Sequence, residues 1–346
     1  MKIANIELFT PQEDYSYVPN SYGAGSCFAR EAKLAWLGKI DFHLFGFESN
    51  FSEYKKKDKS PTFVLDDWAI KAIKEGKLIT DIIPDMAQYD IIIHNHIGFA
   101  INTGKIKQVF WSPFGKSEDA HPDIKYRLNY RESKIYPEGT KNYPVIIAPH
   151  INEFYEPSEK EDFVFQCTRL DEQTNAIEVI KQCNKLGIRG YFAGPIFFNM
   201  NKEHYPLEKY IDNKNTFYLG VISQEKKLEM YGKARMAPFL FKRNPSFNMS
   251  VIEALNYGTP ILVPEEDLQE RGASNCMEET NRYDKQFLKK MNTGLFYNGK
   301  NFEECWEQSS KISSLDCWIK SQEFTHTKML ESFKKALYQI YYDKTN

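Results

Sequence analysis

A serine and a glutamate three residues apart, Ser250 and Glu253, open the apolar part of NPSFNMSVIEALNYGTP, residues 244–260. This S-x-x-E spacing is that of a capping box, in which hydroxyl and carboxylate each accept a hydrogen bond from a free backbone N–H at a helix start. The helix is expected to begin near Ser250 and to end at Gly258, with Pro260 barring its continuation. The N–H groups that follow Ser250 would then face outward from an electropositive helix tip, which favours an anion. A polar loop running into such a tip suits a diphosphate and a ribose. Phe247, Asn248, Met249, Ser250, Val251 and Glu253 are therefore the first binding candidates.

Other residues carry weaker signals. Gly23 and Gly25 precede an amphipathic stretch in NSYGAGSCFAREAKLAWLG and read either as a phosphate-facing loop or as a plain turn. The full G-x-G-x-x-G pattern is missing, which disfavours a dehydrogenase-type dinucleotide site. His94 and His96 end YDIIIHNH on one face of a strand and are the catalytic candidates, set to orient a donor or an acceptor; a structural role for them reads equally well. Gly194 in YFAGP would let a ligand approach the backbone, or would simply make a turn before Pro195. Asp171 and Glu172 are adjacent, so their side chains diverge and make a poor acid–base pair. No metal site is expected: the histidines lack ligand neighbours, and Cys27, Cys167, Cys183, Cys276, Cys305 and Cys317 show no C-x-x-C spacing.

The elements that must hold these residues alternate. KIANIELF, KIDFHLFGF, YDIIIHNH, KQVFWS and YPVIIAP read as strands, with CFAREAKLAWLG as a helix between the first two. The order then repeats with FVFQCTRL, NAIEVIKQCNKLG, GYFAGP, TFYLG, SQEKKLEMYGKA, MAPFLF and the helix after Ser250. Such alternation predicts an α/β protein with parallel sheets. Pro149 and Pro157 bracket a polar connector, which sets the boundaries at 1–152 and 153–324. Residues 325–346 form a terminal helix expected to pack back on the N-terminal domain.

Bulk composition narrows the function classes. The 45 basic and 47 acidic residues are mixed along the chain for a net charge of −2, so charge does not indicate nucleic acid as a partner. No apolar run approaches the roughly 20 residues of a transmembrane helix, and KIANIELF lacks a signal-peptide layout. The expectation is a cytoplasmic protein, at most peripheral to a membrane.

FQCTRLDEQTN, YFAGP, FYLGVISQEKKLEMYGKA, FNMSVIEALNYGTPILV and NTGLFYNG stand in the order and approximate spacing found in retaining, sugar-nucleotide-dependent family 4 glycosyltransferases. The chain resembles that family over most of residues 145–310, and more loosely at the Gly23 loop and YDIIIHNH. The resemblance implies the GT-B fold, two Rossmann-like domains facing a central cleft, with the acceptor on the first and the nucleotide sugar on the second. It implies a sugar transfer with retention to an acceptor hydroxyl and no cofactor beyond the donor substrate. The acceptor is left open among a glycan, a lipid-linked sugar, a small molecule and a modified DNA base.

Residue by residue, the resemblance gives Glu253 the contact to the donor ribose and Arg169 a place in the diphosphate clamp. Four positions depart from the family. Pro245 stands where a first glutamate is usual, Thr174 and Asn175 replace a lysine and a glycine, and Phe114 replaces a histidine. Lys242 and Arg243 are placed to restore the lost charge, and Pro245 points to an unusual donor sugar such as a pentose or a deoxy sugar. Two rivals stand beside the transferase: a nucleotide-sugar-binding subunit that has lost turnover, and a sugar-nucleotide epimerase.

Overall fold

The computed structural model describes residues 1–7, 40–46, 62–64, 67–95, 101–111, 124–129, 139–146, 148–149, 151, 154–196, 205–241, 249–265 and 293–344. The chain divides into two compact units, Met1–Ala148 with His326–Asn346, and Pro149–Thr325.

The first unit contains β1 (Lys2–Glu7), β2 (Asp41–Gly46), β3 (Thr62–Val64), α1 (Asp67–Lys74), α2 (Ile79–Ile82), β4 (Ile91–Asn95), β5 (Lys107–Trp111), β6 (Tyr126–Asn129) and β7 (Lys141–Pro144). Among the described residues these strands form one sheet in the order β3-β2-β1-β4-β5-β6-β7, every pairing parallel. Ile91, Ile92 and Ile93 are all fully buried, as the middle of a two-sided sheet requires. The strand expected over YPVIIAP is displaced: β7 ends at Pro144, and residues 145–146 are not strand. Proline cannot donate to a ladder, and β7 is the last strand in the sheet order, where that loss is tolerated.

The second unit contains β8 (Glu161–Cys167), α3 (Ala176–Leu186), β9 (Arg189–Ala193), β10 (Thr216–Tyr218), α4 (Gln224–Lys233), β11 (Ala234–Pro238), α5 (Met249–Asn256), β12 (Ile261–Pro264), β13 (Gly294–Tyr297), α6 (Phe302–Ser309) and α7 (Ser314–Ser321). Its sheet runs β10-β9-β8-β11-β12-β13, again parallel throughout. This is the Rossmann order, in which the chain direction across the sheet reverses between the first and fourth strands of the unit. The MAPFLF strand starts earlier than expected, at Ala234, directly after α4.

Local chemistry explains these elements. In α3, Ala176, Val179, Ile180 and Cys183 recur at helical spacing and are buried in the core with Val164, Phe192 and Leu207. Gly187, at φ +68°, ends that helix in the left-handed conformation that glycine adopts without cost. Ser223 caps α4 by accepting a hydrogen bond from the Lys226 N–H at 3.1 Å.

The last helix, α8 (His326–Tyr342), belongs to the first unit and buries Met329, Phe333, Ala336, Leu337 and Ile340. Phe333 meets Trp111 edge to face at 4.7 Å. The Lys107 ammonium donates to the carbonyls of Ile340, Tyr341 and Asp343 at 2.9, 2.9 and 2.6 Å, so a cation closes the helix C-terminus.

The second unit repeats that device. Lys160, just ahead of β8, donates to the carbonyls of Gly232 (2.7 Å) and Tyr257 (2.9 Å) and to the Thr259 hydroxyl (2.8 Å), with the Tyr231 carbonyl at 3.4 Å. Two helix C-terminal ends, those of α4 and α5, thus share one half-buried cation. Burial pushes the Lys160 pKa down to about 7, and Cys317 opposes that shift electrostatically. Lys160→Met keeps the length of the side chain and strips those acceptors of their donor. It should cost about 2–4 kcal/mol in urea unfolding, with hydrogen exchange accelerated at the C-terminal turns of α4 and α5.

Candidate functional site

The switch in strand order puts the carboxyl ends of β8 and β11 side by side, the place where open α/β sheets bind ligands. β8 ends at Cys167, and Arg169 follows on the strand-end corner. Arg169 Nε lies 2.5 Å from Asp171 Oδ2, and the arginine side chain stays half exposed. Asp171 is itself pinned: its Oδ1 accepts the N–H groups of Gln173 (2.9 Å) and Thr174 (3.0 Å). Asp171 is therefore an anchor for the guanidinium, and the acid–base reading of Asp171 and Glu172 finds no support in this geometry.

The departures at 174 and 175 acquire a physical account. Thr174 is buried, accepts the Asp171 N–H at 3.1 Å and donates to the Asp171 carbonyl at 3.0 Å, so it closes the turn and does not reach outward. Asn175 has φ 54° and ψ 31°. A left-handed position just before a helix is where glycine is easiest, and asparagine is one of the few side chains that tolerates it.

Gly194 sits at φ +123°, and a Cβ there would lie 1.9 Å from the Thr168 carbonyl oxygen. The corners after β8 and β9 are bonded to each other through Thr168 N–H to Ala193 O (3.1 Å) and Leu170 N–H to Pro195 O (2.9 Å). Glycine is thus required by backbone packing within the protein, with no ligand needed to explain it.

The capping box is not the arrangement Glu253 adopts. Helix α5 starts at Met249, so Ser250 is already inside it and Glu253 is its fifth residue, too far along to reach back to the helix start. Glu253 Oε1 instead accepts from Gln224 Nε2 at 2.9 Å, and Oε2 lies 2.8 Å from Lys227 Nζ. The Glu253 side chain is 4% exposed and that of Lys227 16%. The Ser250 hydroxyl bonds the phenol of Tyr231, which donates to the Cys167 carbonyl at 3.3 Å. Burial pushes the Cys167 thiol up to about 12, and it feels the charges of both Lys227 and Glu253. The ion pair is thus close enough to act electrostatically on the last residue of β8.

Gln224 and Lys227 escaped the sequence reading. The usable signal is their helical spacing with the fully buried Tyr231, a stripe at 224, 227 and 231. Lys226 beside it is a solvated lysine paired with Glu229 at 3.0 Å. Met249 and Val251 are half-buried on the first turn of α5. His96, Gly23, Gly25, Arg243, Phe247 and Asn248 lie outside the described residues, as do Phe114, Lys242 and Pro245.

His94 is on β4 between Ile6 and Phe110 in the ladders. It is fully buried, neither ring nitrogen has a hydrogen-bond partner among the described residues, and burial pushes its pKa down to about 3. A neutral, enclosed imidazole has no path to a substrate hydroxyl as it stands. Among the described residues no group of three or more His, Cys, Asp or Glu is placed to hold a metal. No helix there is long and apolar enough to cross a membrane.

Two parallel sheets of Rossmann order on one chain define an α/β protein of GT-B type. No family model and no curated protein sequence matches the chain. Solved structures do. A glycosyltransferase from Rickettsia africae is similar over 99% of this chain and 99% of its own, with TM-score 0.69 and 12% identity. AviGT4, a glycosyltransferase involved in avilamycin A biosynthesis, has TM-score 0.62 and 14% identity over 99% of this chain and 98% of its own. HepE from Anabaena, solved in complex with UDP, has TM-score 0.63 and 13% identity over 98% and 100%. At such identities the likeness is one of fold.

Two outcomes follow from this geometry. Gly194→Ala drives a methyl group into the Thr168 carbonyl and should lower stability by about 3 kcal/mol or more, read as a fall in thermal midpoint. For His94 the unfolded chain binds a proton below its ordinary pKa of 6.5, whereas the folded chain does not until about 3. Stability should therefore fall as pH drops through that window, at up to about 1.4 kcal/mol per pH unit. His94→Phe should flatten that part of the profile in urea unfolding from pH 7 to 4.

Proposed function

We propose that the chain is a glycosyltransferase that moves a sugar from a nucleotide-diphosphate sugar to an acceptor hydroxyl, with retention at the anomeric carbon. The observation that carries this reading is the corner after β8. There the anchored, half-exposed Arg169 follows Cys167, whose thiol feels the charges of the Glu253–Lys227 pair. The guanidinium suits an anion, since its planar donors match a phosphate, and Glu253 suits a ribose hydroxyl. The fold similarity to glycosyltransferases, one of them complexed with UDP, supports the same substrate class.

In this reading residues 153–324 hold the donor and residues 1–152 the acceptor. The departing diphosphate is stabilised by Arg169 and by the first-turn N–H groups of α5, which place positive charge where negative charge develops. Chelation of divalent metals should then leave turnover intact. His94 supports the end of β4 by packing; a proton-transfer role is left to groups that substrate reaches. Cys167, Cys183, Cys305 and Cys317 are free and buried, which suits action in the cytoplasm.

The test is a panel of UDP-, GDP- and ADP-linked hexoses and pentoses offered with glycan, lipid-linked and small-alcohol acceptors, scored by mass spectrometry. Acceptor-dependent release of nucleotide diphosphate is expected, with the product anomer matching the donor by proton NMR. Arg169→Met should weaken nucleotide-diphosphate binding about 10- to 100-fold. Failure of the wild-type chain to bind any nucleotide diphosphate would sink the reading. The buried Thr174, which brings no cation to the clamp, favours a second reading as a donor-binding subunit without turnover. Binding with no transfer to any acceptor is its signature.

A further inference from the structure

The geometry points to Lys227, assisted by Gln224, as the positioning residue that sets Glu253 to discriminate ribonucleotides from deoxyribonucleotides. This inference rests on the donor-binding reading above.

A carboxylate as enclosed as that of Glu253 is stable in its charged form only beside a counter-charge and with its oxygens hydrogen-bonded. Lys227 supplies the charge at 2.8 Å and Gln224 the second donor at 2.9 Å, one on each oxygen. Oε1 has two acceptor sites and keeps one after the Gln224 bond, while Oε2 is buried beside the Lys227 ammonium. One acceptor site on a carboxylate held this rigidly suits a single ribose hydroxyl.

The donors are themselves fixed. Gln224 and Lys227 come from the first turn of α4, which the Ser223 cap holds through the Lys226 N–H. At its other end α4 is tied to α5 by Lys160. Lys227 fixes the direction of the Glu253 carboxylate, which rewards a hydroxyl donor and gains nothing from a C–H in its place. Removing Lys227 takes away the contact that holds the carboxylate against α4, so its direction and that preference are lost.

Isothermal titration of UDP, GDP and ADP, each against its 2′-deoxy form, with inorganic pyrophosphate as a third probe, tests this. The wild-type chain should favour the ribonucleotide by about 10-fold or more, the value of one lost hydrogen bond to a charged group. In Lys227→Met the ratio should collapse to within about 2-fold while pyrophosphate affinity stays put, because Arg169 carries the phosphate contact. Lys227→Arg should restore the preference, and Gln224→Leu should reduce it partway.

A ratio unchanged in Lys227→Met overturns the inference. So does a parallel loss of all three probes in both Lys227→Met and Lys227→Arg, the mark of a merely structural lysine. A wild-type chain that binds no nucleotide diphosphate removes the donor reading and this inference with it. One that binds and discriminates, with Lys227→Met discriminating equally, removes the inference alone.

Discussion

A carboxylate that is almost wholly withdrawn from water must be answered by a cation, and in the second unit that requirement organises everything around it. Glu253 on α5 is answered by Lys227 on α4, 2.8 Å away. Because both side chains belong to helices that flank β11, the pair fixes one helix face against the other where they approach the carboxyl end of the sheet. The opposite ends of the same helices are joined by Lys160, whose ammonium bridges the carbonyls of Gly232 and Tyr257. Two lysines and a glutamate thus brace two helices at both ends. Apolar packing alone, being non-directional, leaves such helices freer to slide.

The first unit uses the same principle with different partners. Lys107 gathers three carbonyls at the end of α8, and that helix then lays Phe333 on Trp111. In each unit a lysine of a strand, or of the residue just before one, meets the negative end of a helix that packs beside it. His94 is the contrasting case, a polar group that burial renders neutral with no partner among the described residues.

Much of this was legible in the sequence, and the residues that were not share a reason. The runs IIIHN and FVFQC announced central strands because both faces of a parallel sheet are apolar. α3 was legible through its buried periodicity and terminal glycine. β6, YRLN, was missed because its arginine is buried on the same sheet as Phe110 and the alternation reads as polar. At the site, Arg169 and Glu253 were visible by type, but their partners were not. Asp171 was singled out only as a poor acid–base partner of Glu172, and nothing in the sequence marked Lys227. Pairwise charge compensation is a property of three-dimensional neighbours: α5 begins two residues before the capping box would have it, and Glu253 meets Gln224 and Lys227 of α4.

The contact between Gly194 and Thr168 has an evolutionary reading. With the two backbones too close to admit a methyl group, the corners after β8 and β9 are a single inherited part. A chimaera that imports one corner from a relative and keeps the other joins mismatched halves.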